Sequence, residues 1–315
     1  MTSSRRAGVA IKRRSAKEAR TFRFLDDEAV SGALGRIARG RIDHAIDELG
    51  GKSDSSAEEA VHEARKDMKK LRSVLRLARD ELGDEIYRRE NECFRDAARA
   101  LSGVRDADAM LDTLKGLDGS FPELRRALKA HRDAAPRADS ADAVIATLEA
   151  ARDRVEEWPL ERDGFEALEG GLRRIYRRGR RAWQAVEEEP TTEILHEWRK
   201  REKDLWYHLT LLRESWPPLL KVTADEAHEL SDRLGDDHDH AVLLEWAHAR
   251  FDDEALEKCD EAVAARRDVL QREALDLGRR VYAERPGAFV RRLGAYWEAW
   301  RPARSAVTTS SAAVG

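Results

Sequence analysis

The chain has 315 residues, long enough for one large domain or two of ordinary size with a sizeable core. Charged residues make up 38% of it, against roughly 25% in ordinary soluble proteins, so its surface must be strongly ionic. The formal net charge is only −4, which excludes binding of polyanions through total charge and leaves local arrangement as the route.

The opening MTSSRRAGVAIKRRSAKEAR is basic but lacks the continuous apolar stretch of a leader peptide. Residues 1–24 are expected to form a disordered tail, as is the polar, small-residue segment 304–315. Between them apolar residues recur at three- and four-residue spacings, as amphipathic helices require, and no segment reads as a strand. No stretch approaches the ~18 apolar residues of a membrane span. Cys93 and Cys259 stand far apart without a C-x-x-C pattern, which suits two free thiols in a reducing compartment. A cytoplasmic all-α protein that needs no cofactor is expected.

Ser55 and Ser56 stand three residues before Glu58 and Glu59, in capping-box spacing, and mark a helix start. The helix that follows carries VHEARKDMKKLRSVLRLARD (61–80), with seven Lys and Arg against three acids. At 100° per residue His62, Arg65, Lys66, Lys69, Arg72, Arg76 and Arg79 share one side. Val61, Ala64, Met68, Leu71, Leu75 and Ala78 share the other. Three acids cannot neutralise that row, so it repels itself unless an anion lies along it. Arg65 to Arg79 spans ~21 Å at 1.5 Å per residue, a length that suits a linear polyanion better than one phosphate group.

Farther on come LSGVRDADAML (101–111), a junction near WPLERDG (158–164), and LRRIYRRGRR (172–181), which has six arginines and no acid. Arg173, Arg177 and Arg180 fall on one face there, and guanidinium forks suit phosphate oxygens. Thr192 can cap the helix after Pro190. All eight prolines lie where a helix would break. Then LHEWRKREKDLWYHLTLLRE (195–214) repeats the 61–80 stretch without a gap. His196, Arg199, Lys200 and Lys203 reproduce the charged face, and Trp198, Leu205, Leu209 and Leu212 the packing face. LGDDHDHAVLL (234–244) echoes 101–111, with Leu101, Asp106 and Leu111 matching Leu234, Asp239 and Leu244. Two helical bundles related by internal duplication follow from this order, with halves at about 25–157 and 164–303.

The repeated histidines leave two readings open. His62 and His196 either join the cations when a phosphate raises the imidazole pKa, or orient a neighbouring helix through a hydrogen bond. GDDHDHAVLLEWAH (235–248) gathers Asp236, Asp237, His238, Asp239, His240 and His248, which supports a rival reading as a metal-dependent phosphohydrolase. A polar helix start, with acids favouring the helix dipole, is the preferred reading, because only Asp106 and Asp239 recur between the halves. A basic groove could also hold RNA nonspecifically, but the tryptophans sit where packing is expected, so no stacking platform is evident.

H-E-x-R-K-x-x-K in both halves, the L-x-x-x-L-x-L that follows, LSGVRDADAML, YRRGRRAW and YAERPGAFVRRLGAYWEAWR together resemble the CHAD family, the conserved histidine α-helical domain. The likeness runs from about 25 to 303. It implies two four-helix bundles with pseudo-twofold symmetry around a basic central cavity, and binding of inorganic polyphosphate, in some members at polyphosphate granules. The matching positions are His62, Arg65, Lys66, Lys69, Arg72 and Arg76, then His196, Arg199, Lys200 and Lys203, with Arg173, Arg177 and Arg180 added from charge alone. Trp206, where the family often has arginine, and Thr210 depart from the pattern, so the second half should offer fewer cations. No E-x-E-x-K strand of the often-fused triphosphate-tunnel domain is present. The expected role is polyphosphate binding without catalysis, metal, membrane or specific nucleic acid, with the oligomeric state open.

Overall fold

The computed structural model describes residues 15–101, 104–134 and 141–301. Every regular element among them is helical. The order is α1 (Ala16–Ala19), α2 (Val30–Leu49), α3 (Ala57–Leu77), α4 (Arg79–Ala100), α5 (Val104–Lys115), α6 (Pro122–Ala134) and α7 (Ala141–Arg154). After a short 3₁₀ turn come α8 (Glu166–Glu188), α9 (Thr192–Leu212), α10 (Pro217–His248), α11 (Asp253–Val281) and α12 (Pro286–Trp300). Among the described residues no helix is long and apolar enough to cross a membrane.

Local chemistry sets the ends of the charged helices. Ser56 caps α3 in a full capping box: its side chain accepts from the Glu59 amide, and the Glu59 carboxylate accepts from the Ser56 amide. At α9 the cap is Thr191, whose hydroxyl accepts from the Ile194 amide at 3.2 Å, one residue before the expected Thr192. Pro122, Pro217 and Pro286 open α6, α10 and α12, where a missing amide proton costs nothing. Gly83, at φ 73°, breaks α4 near its start in a conformation that side chains other than glycine rarely adopt.

Helices α2, α3, α4 and α7 pack side by side; α9 packs on α8 and α10, and α10 on α11. Helix α3 also meets both α8 and α9. The contact with α8 is close enough that a Cβ on Gly171 would collide with the Leu77 carbonyl oxygen. The apolar cores do not divide at 158–164. One cluster runs from Phe24 and Val30 through Leu71 and Leu75 to Trp198, Leu209 and Trp297. A second joins α5 and α6 to the end of α10 and the start of α11 through Met110, Leu128, Trp246 and Val263. Each element completes a core that residues distant in sequence supply.

Residues 15–24, expected to belong to a disordered tail, are part of the fold. Phe24 is fully buried, meets Trp297 edge-on at 5.2 Å, and donates its amide to the Leu211 carbonyl at 3.0 Å. Buried Arg36 fixes the same segment by donating to the carbonyls of Glu18, Thr21 and Arg23 and to the Glu28 carboxylate. The tail segments 1–14 and 304–315 lie outside the described residues.

The two copies of the repeat differ inside. Where α3 has Met68, α9 has Glu202, fully buried and hydrogen-bonded by the Tyr282 hydroxyl at the end of α11. Burial pushes the Glu202 carboxyl up to about 8, so it is neutral in the folded chain at pH 7. The folded value lies above the unfolded one, so this group's contribution is fully present below about 4.5 and is lost as pH rises to about 8, at roughly 1.4 kcal/mol per pH unit. Glu202→Gln should flatten that fall, read from urea unfolding at pH 5 to 8; the wild-type slope in the variant would contradict it.

Candidate polyanion-binding site

Helix α3 turns the expected apolar residues inward: Ala64, Met68, Leu71, Leu75 and Ala78 are buried. His62, Arg65, Lys66, Lys69, Arg72 and Arg76 retain exposure on the other side, whereas Arg79, expected in the same row, is the first residue of α4. Asp67 does not lie among them. It is buried, accepting from Arg41 at 3.1 Å and His44 at 2.6 Å, so it screens the cationic row less than its place in sequence suggests. Helix α9 follows the same plan, with Trp198, Leu205, Leu209 and Leu212 buried. The copies share a local pair too: Lys66 donates to Glu63 at 2.8 Å and Lys200 to Glu197 at 2.6 Å.

The two rows meet. Lys69 reaches water yet is closely surrounded by protein; desolvation, then Lys203, Arg199 and Arg65, push its ammonium down to about 8 against the opposing pull of Asp239. Lys203 is lowered in turn by desolvation, Arg199 and Lys66, with Asp232 and Asp239 opposing. Its ammonium also lies 5.3 Å above the Trp206 ring, so the tryptophan that replaces an arginine supports a neighbouring cation through its π face. Cations from the two copies therefore crowd one another across the α3–α9 contact.

Beyond that group the row becomes engaged in structure. Arg76 donates to Asp204 on α9 at 3.0 Å, and the buried His208 ring contacts the Ser73 carbonyl at 3.0 Å, which ties α3 to α9. Arg72 donates to Asn91 at 3.0 Å, and desolvation, followed by Arg76, pushes its pKa down to about 10. Arg79 pairs with Asp84 at 2.8 Å and lies over the Tyr87 ring at 4.6 Å.

Helix α10 supplies the third side. Asp239 is raised by burial and pulled down by Arg199 and Lys69, so a carboxyl sits among the cations. The His196 and His238 rings stack with centroids 4.3 Å apart, inclined by 28°. Arg199 lies against Gly235, where an added Cβ would be 3.6 Å from its Nε. His62 has its Nε2 at 3.8 Å from the Glu63 carboxylate, beyond hydrogen-bond length.

A family model described as "CHAD domain" matches residues 36–248. The chain belongs to the CHAD domain family. Polyphosphate binding is a property of that family. The crystal structure of the CHAD domain from the plant Ricinus communis is similar to this chain, with a TM-score of 0.60 and 19% sequence identity over 88% of this chain and 97% of that one. At that identity the likeness speaks for the all-α fold. No curated protein matches the sequence.

In this CHAD protein the arginines of 172–181 face differently from the expected stripe. Arg173 pairs with Glu169 on the exposed side of α8, Arg177 is exposed, and Arg180 donates to the Tyr282 carbonyl at 3.2 Å. Their neighbours Arg174, paired with Asp80 at the start of α4, and Arg178, lowered by desolvation and Arg201, turn toward α4 and α9 instead. The helix phase explains this: Gly171 and Ile175 are the positions buried against neighbours, which rotates Arg178 rather than Arg177 toward α9.

The stretch 235–248 is not a helix start but the C-terminal half of the 32-residue α10. Its acids and histidines separate accordingly. Asp237 is bound by Arg267 and Gln271, His240 donates Nδ1–H to the Asp236 carbonyl at 2.7 Å, and His248 meets Asp260 at 3.0 Å. Among the described residues no three His, Cys, Asp or Glu side chains are grouped to hold a metal ion. His238, Asp239 and Asp232 are the site neighbours that sequence reading missed. Helical spacing from Gly235 would have found two of them once the segment was placed inside a helix.

If Arg199 and Lys203 hold Lys69 near 8, removing either should let it rise. Lys69 in wild type should titrate near 8 by NMR of ¹³C-dimethylated lysines, and Lys203→Met should move its midpoint upward toward the ordinary lysine value of about 10.4. An unchanged midpoint would show that the two ammonium groups do not interact.

Proposed function

We infer that this chain binds inorganic polyphosphate along the facing cationic surfaces of α3 and α9, and that it acts by binding and not by turning the polymer over. The carrying observation is that Lys69 and Lys203, each lowered first by desolvation, are lowered further by cations of both helices: Lys203, Arg199 and Arg65 act on Lys69, and Arg199 and Lys66 on Lys203. Like charges held together are destabilising, and a chain of phosphates placed between them relieves the repulsion at several points at once. Guanidinium groups of Arg65 and Arg199 suit paired phosphate oxygens, and the lysines add point charges. His62, Lys66, His196 and Lys200 flank this centre, and Arg72 and Arg76 extend it along α3. Arg173 and Arg177 are left to the outer face of α8, and Arg180 to its bond with the Tyr282 carbonyl.

The duplication supports the reading, since a linear polyanion has no preferred end on a surface whose two halves repeat. A cytoplasmic setting and attachment to polyphosphate granules accord with such binding. Hydrolysis is the weaker reading because Asp237, His240 and His248 of α10 are committed to separate partners. Polyphosphate incubated with the protein and added Mg²⁺ or Mn²⁺ should keep its length on gels.

The first test is calorimetry with polyphosphates of defined length. Replacing Arg65, Lys69 and Arg199 together by Ala should weaken binding by about 1,000-fold or more, given roughly 1.5–3 kcal/mol for each charge-assisted contact. Wild-type affinity should fall steeply with salt. No binding by wild type, or no loss in the variant, would sink the proposal. The carboxyl among the cations gives an opposite test: Asp239→Asn should tighten binding several-fold, roughly the 1 kcal/mol scale of one partly screened charge. Equal or weaker binding would mean that Asp239 orders the cations instead of competing with the phosphates.

A further inference from the structure

We propose that His238, working with the stacked His196 ring, is a proton-dependent contact for the phosphate chain, so that the α10 side of the site grips more tightly as pH falls. This rests on the polyphosphate reading above. Neither histidine ring is fully exposed, and the Nδ1 atom of each is buried without a hydrogen-bond partner; so is Nε of the adjacent Arg199. Buried nitrogens of this kind normally find an acceptor, so three on neighbouring side chains make this a place suited to one.

The carboxylates nearby do not supply it. Asp237, on the same helix, is held by Arg267 and Gln271 of α11. Glu197, beside His196 on α9, accepts from Lys200 and Arg201. Asp239 is drawn toward Arg199 and toward Lys69 of α3. Asp236 offers its backbone carbonyl to His240. Helix α5, which also packs on α10, carries Asp108, whose partner is Arg132 at 3.8 Å. What faces the two rings is otherwise cationic: Arg199 and Lys200, together with each ring toward the other.

Those charges disfavour a proton on either ring in the free protein. Burial, then Arg199 and His196, push His238 down to about 4, and burial, then Lys200 and Arg199, lower His196. A phosphate oxygen brought against these side chains reverses the balance, because it can accept from the Arg199 guanidinium and from an imidazolium N–H, and its charge favours the protonated ring. The sign follows. The bound state has the higher histidine pKa, so binding takes up a proton, and affinity rises as pH falls through the bound-state value.

The repeat gives the position its meaning. His238 aligns with Arg105 in LSGVRDADAML, so one half carries a permanent cation in sequence where the other carries a titratable one. A chain of this kind would hold polyphosphate weakly on its α10 side in neutral medium and strongly in acid.

The test compares wild type with His238→Asn and His238→Arg, measuring polyphosphate affinity by calorimetry at pH 5.5, 6.5 and 7.5. Lys69, Asp239 and His196 are the same in all three proteins, so differences among them isolate His238. Wild type should bind about tenfold tighter at pH 5.5 than at 7.5, the size of one added charge-assisted contact. His238→Asn should lose most of that gain, and His238→Arg should bind at pH 7.5 about as wild type binds at 5.5. A wild-type pH profile kept by His238→Asn, or no tightening at pH 7.5 in His238→Arg, would overturn the assignment. NMR of the histidine ring protons in unaltered protein gives a second readout: the His238 midpoint should move up on saturation with polyphosphate, and a fixed midpoint would overturn it equally. Absence of wild-type binding at every pH would instead defeat the polyphosphate reading, and this assignment with it.

Discussion

Electrostatic repulsion between α3 and α9 is the constraint on which the rest of this molecule turns. Lys69, Lys203, Arg65, Lys66 and Arg199 are brought into mutual range by two helices that carry the same charged pattern. Something must hold such helices together. Part of it is the apolar core that runs beneath both, through Leu71, Leu75, Leu205 and Leu209. Part is a small polar contact beside the cations, where Arg76 reaches Asp204 and His208 reaches the Ser73 carbonyl. The like charges are thus preorganised by packing, and an incoming anion need not assemble them.

The two copies of the repeat are alike on the surface and different inside. Lys66 with Glu63 and Lys200 with Glu197 make the same local pair. Beneath them, Met68 is an apolar core residue, whereas Glu202 is a neutral acid held by Tyr282. The α11 end that carries Tyr282 is further tied to α8, since Arg180 donates to the Tyr282 carbonyl and Tyr176 to that of Val281. The arginines of 172–181 therefore divide their work: some fasten helices and some enlarge the cationic surroundings of α3 and α9. Charge count alone cannot make that division, because it depends on which side of α8 is buried.

Much of the fold was legible in the sequence because helical periodicity and capping are local. The helix from Ser56 through Leu77 and its inward row of leucines follow from spacing alone, and the all-α class from the absence of any strand pattern; the break at Ala78, which puts Arg79 and Asp80 in α4, does not. Other features depended on contacts between distant residues. Phe24 reads as part of a polar tail until Trp297 is seen beside it. The 235–248 stretch reads as a helix start because its acids are dense, yet the helix began at Pro217, and Asp237 has its partners on α11. Asp67 reads as a surface acid until Arg41 and His44 are found around it. The central cations were visible as a pattern, but their convergence, and the carboxyl of Asp239 among them, belong to tertiary structure.

The central claim is that these crowded cations await an anion. At pH 8 Lys69, with a pKa of about 8, is about half protonated in the free protein. A phosphate chain that relieves the repulsion must return protons to it. Calorimetric titration with polyphosphate at pH 8, in two buffers of different ionisation enthalpy, reads that uptake directly. The account predicts a buffer-dependent heat corresponding to net proton uptake on the order of half a proton or more per site. Binding with the same heat in both buffers would contradict it, because the anion would then have found its charge elsewhere on the molecule.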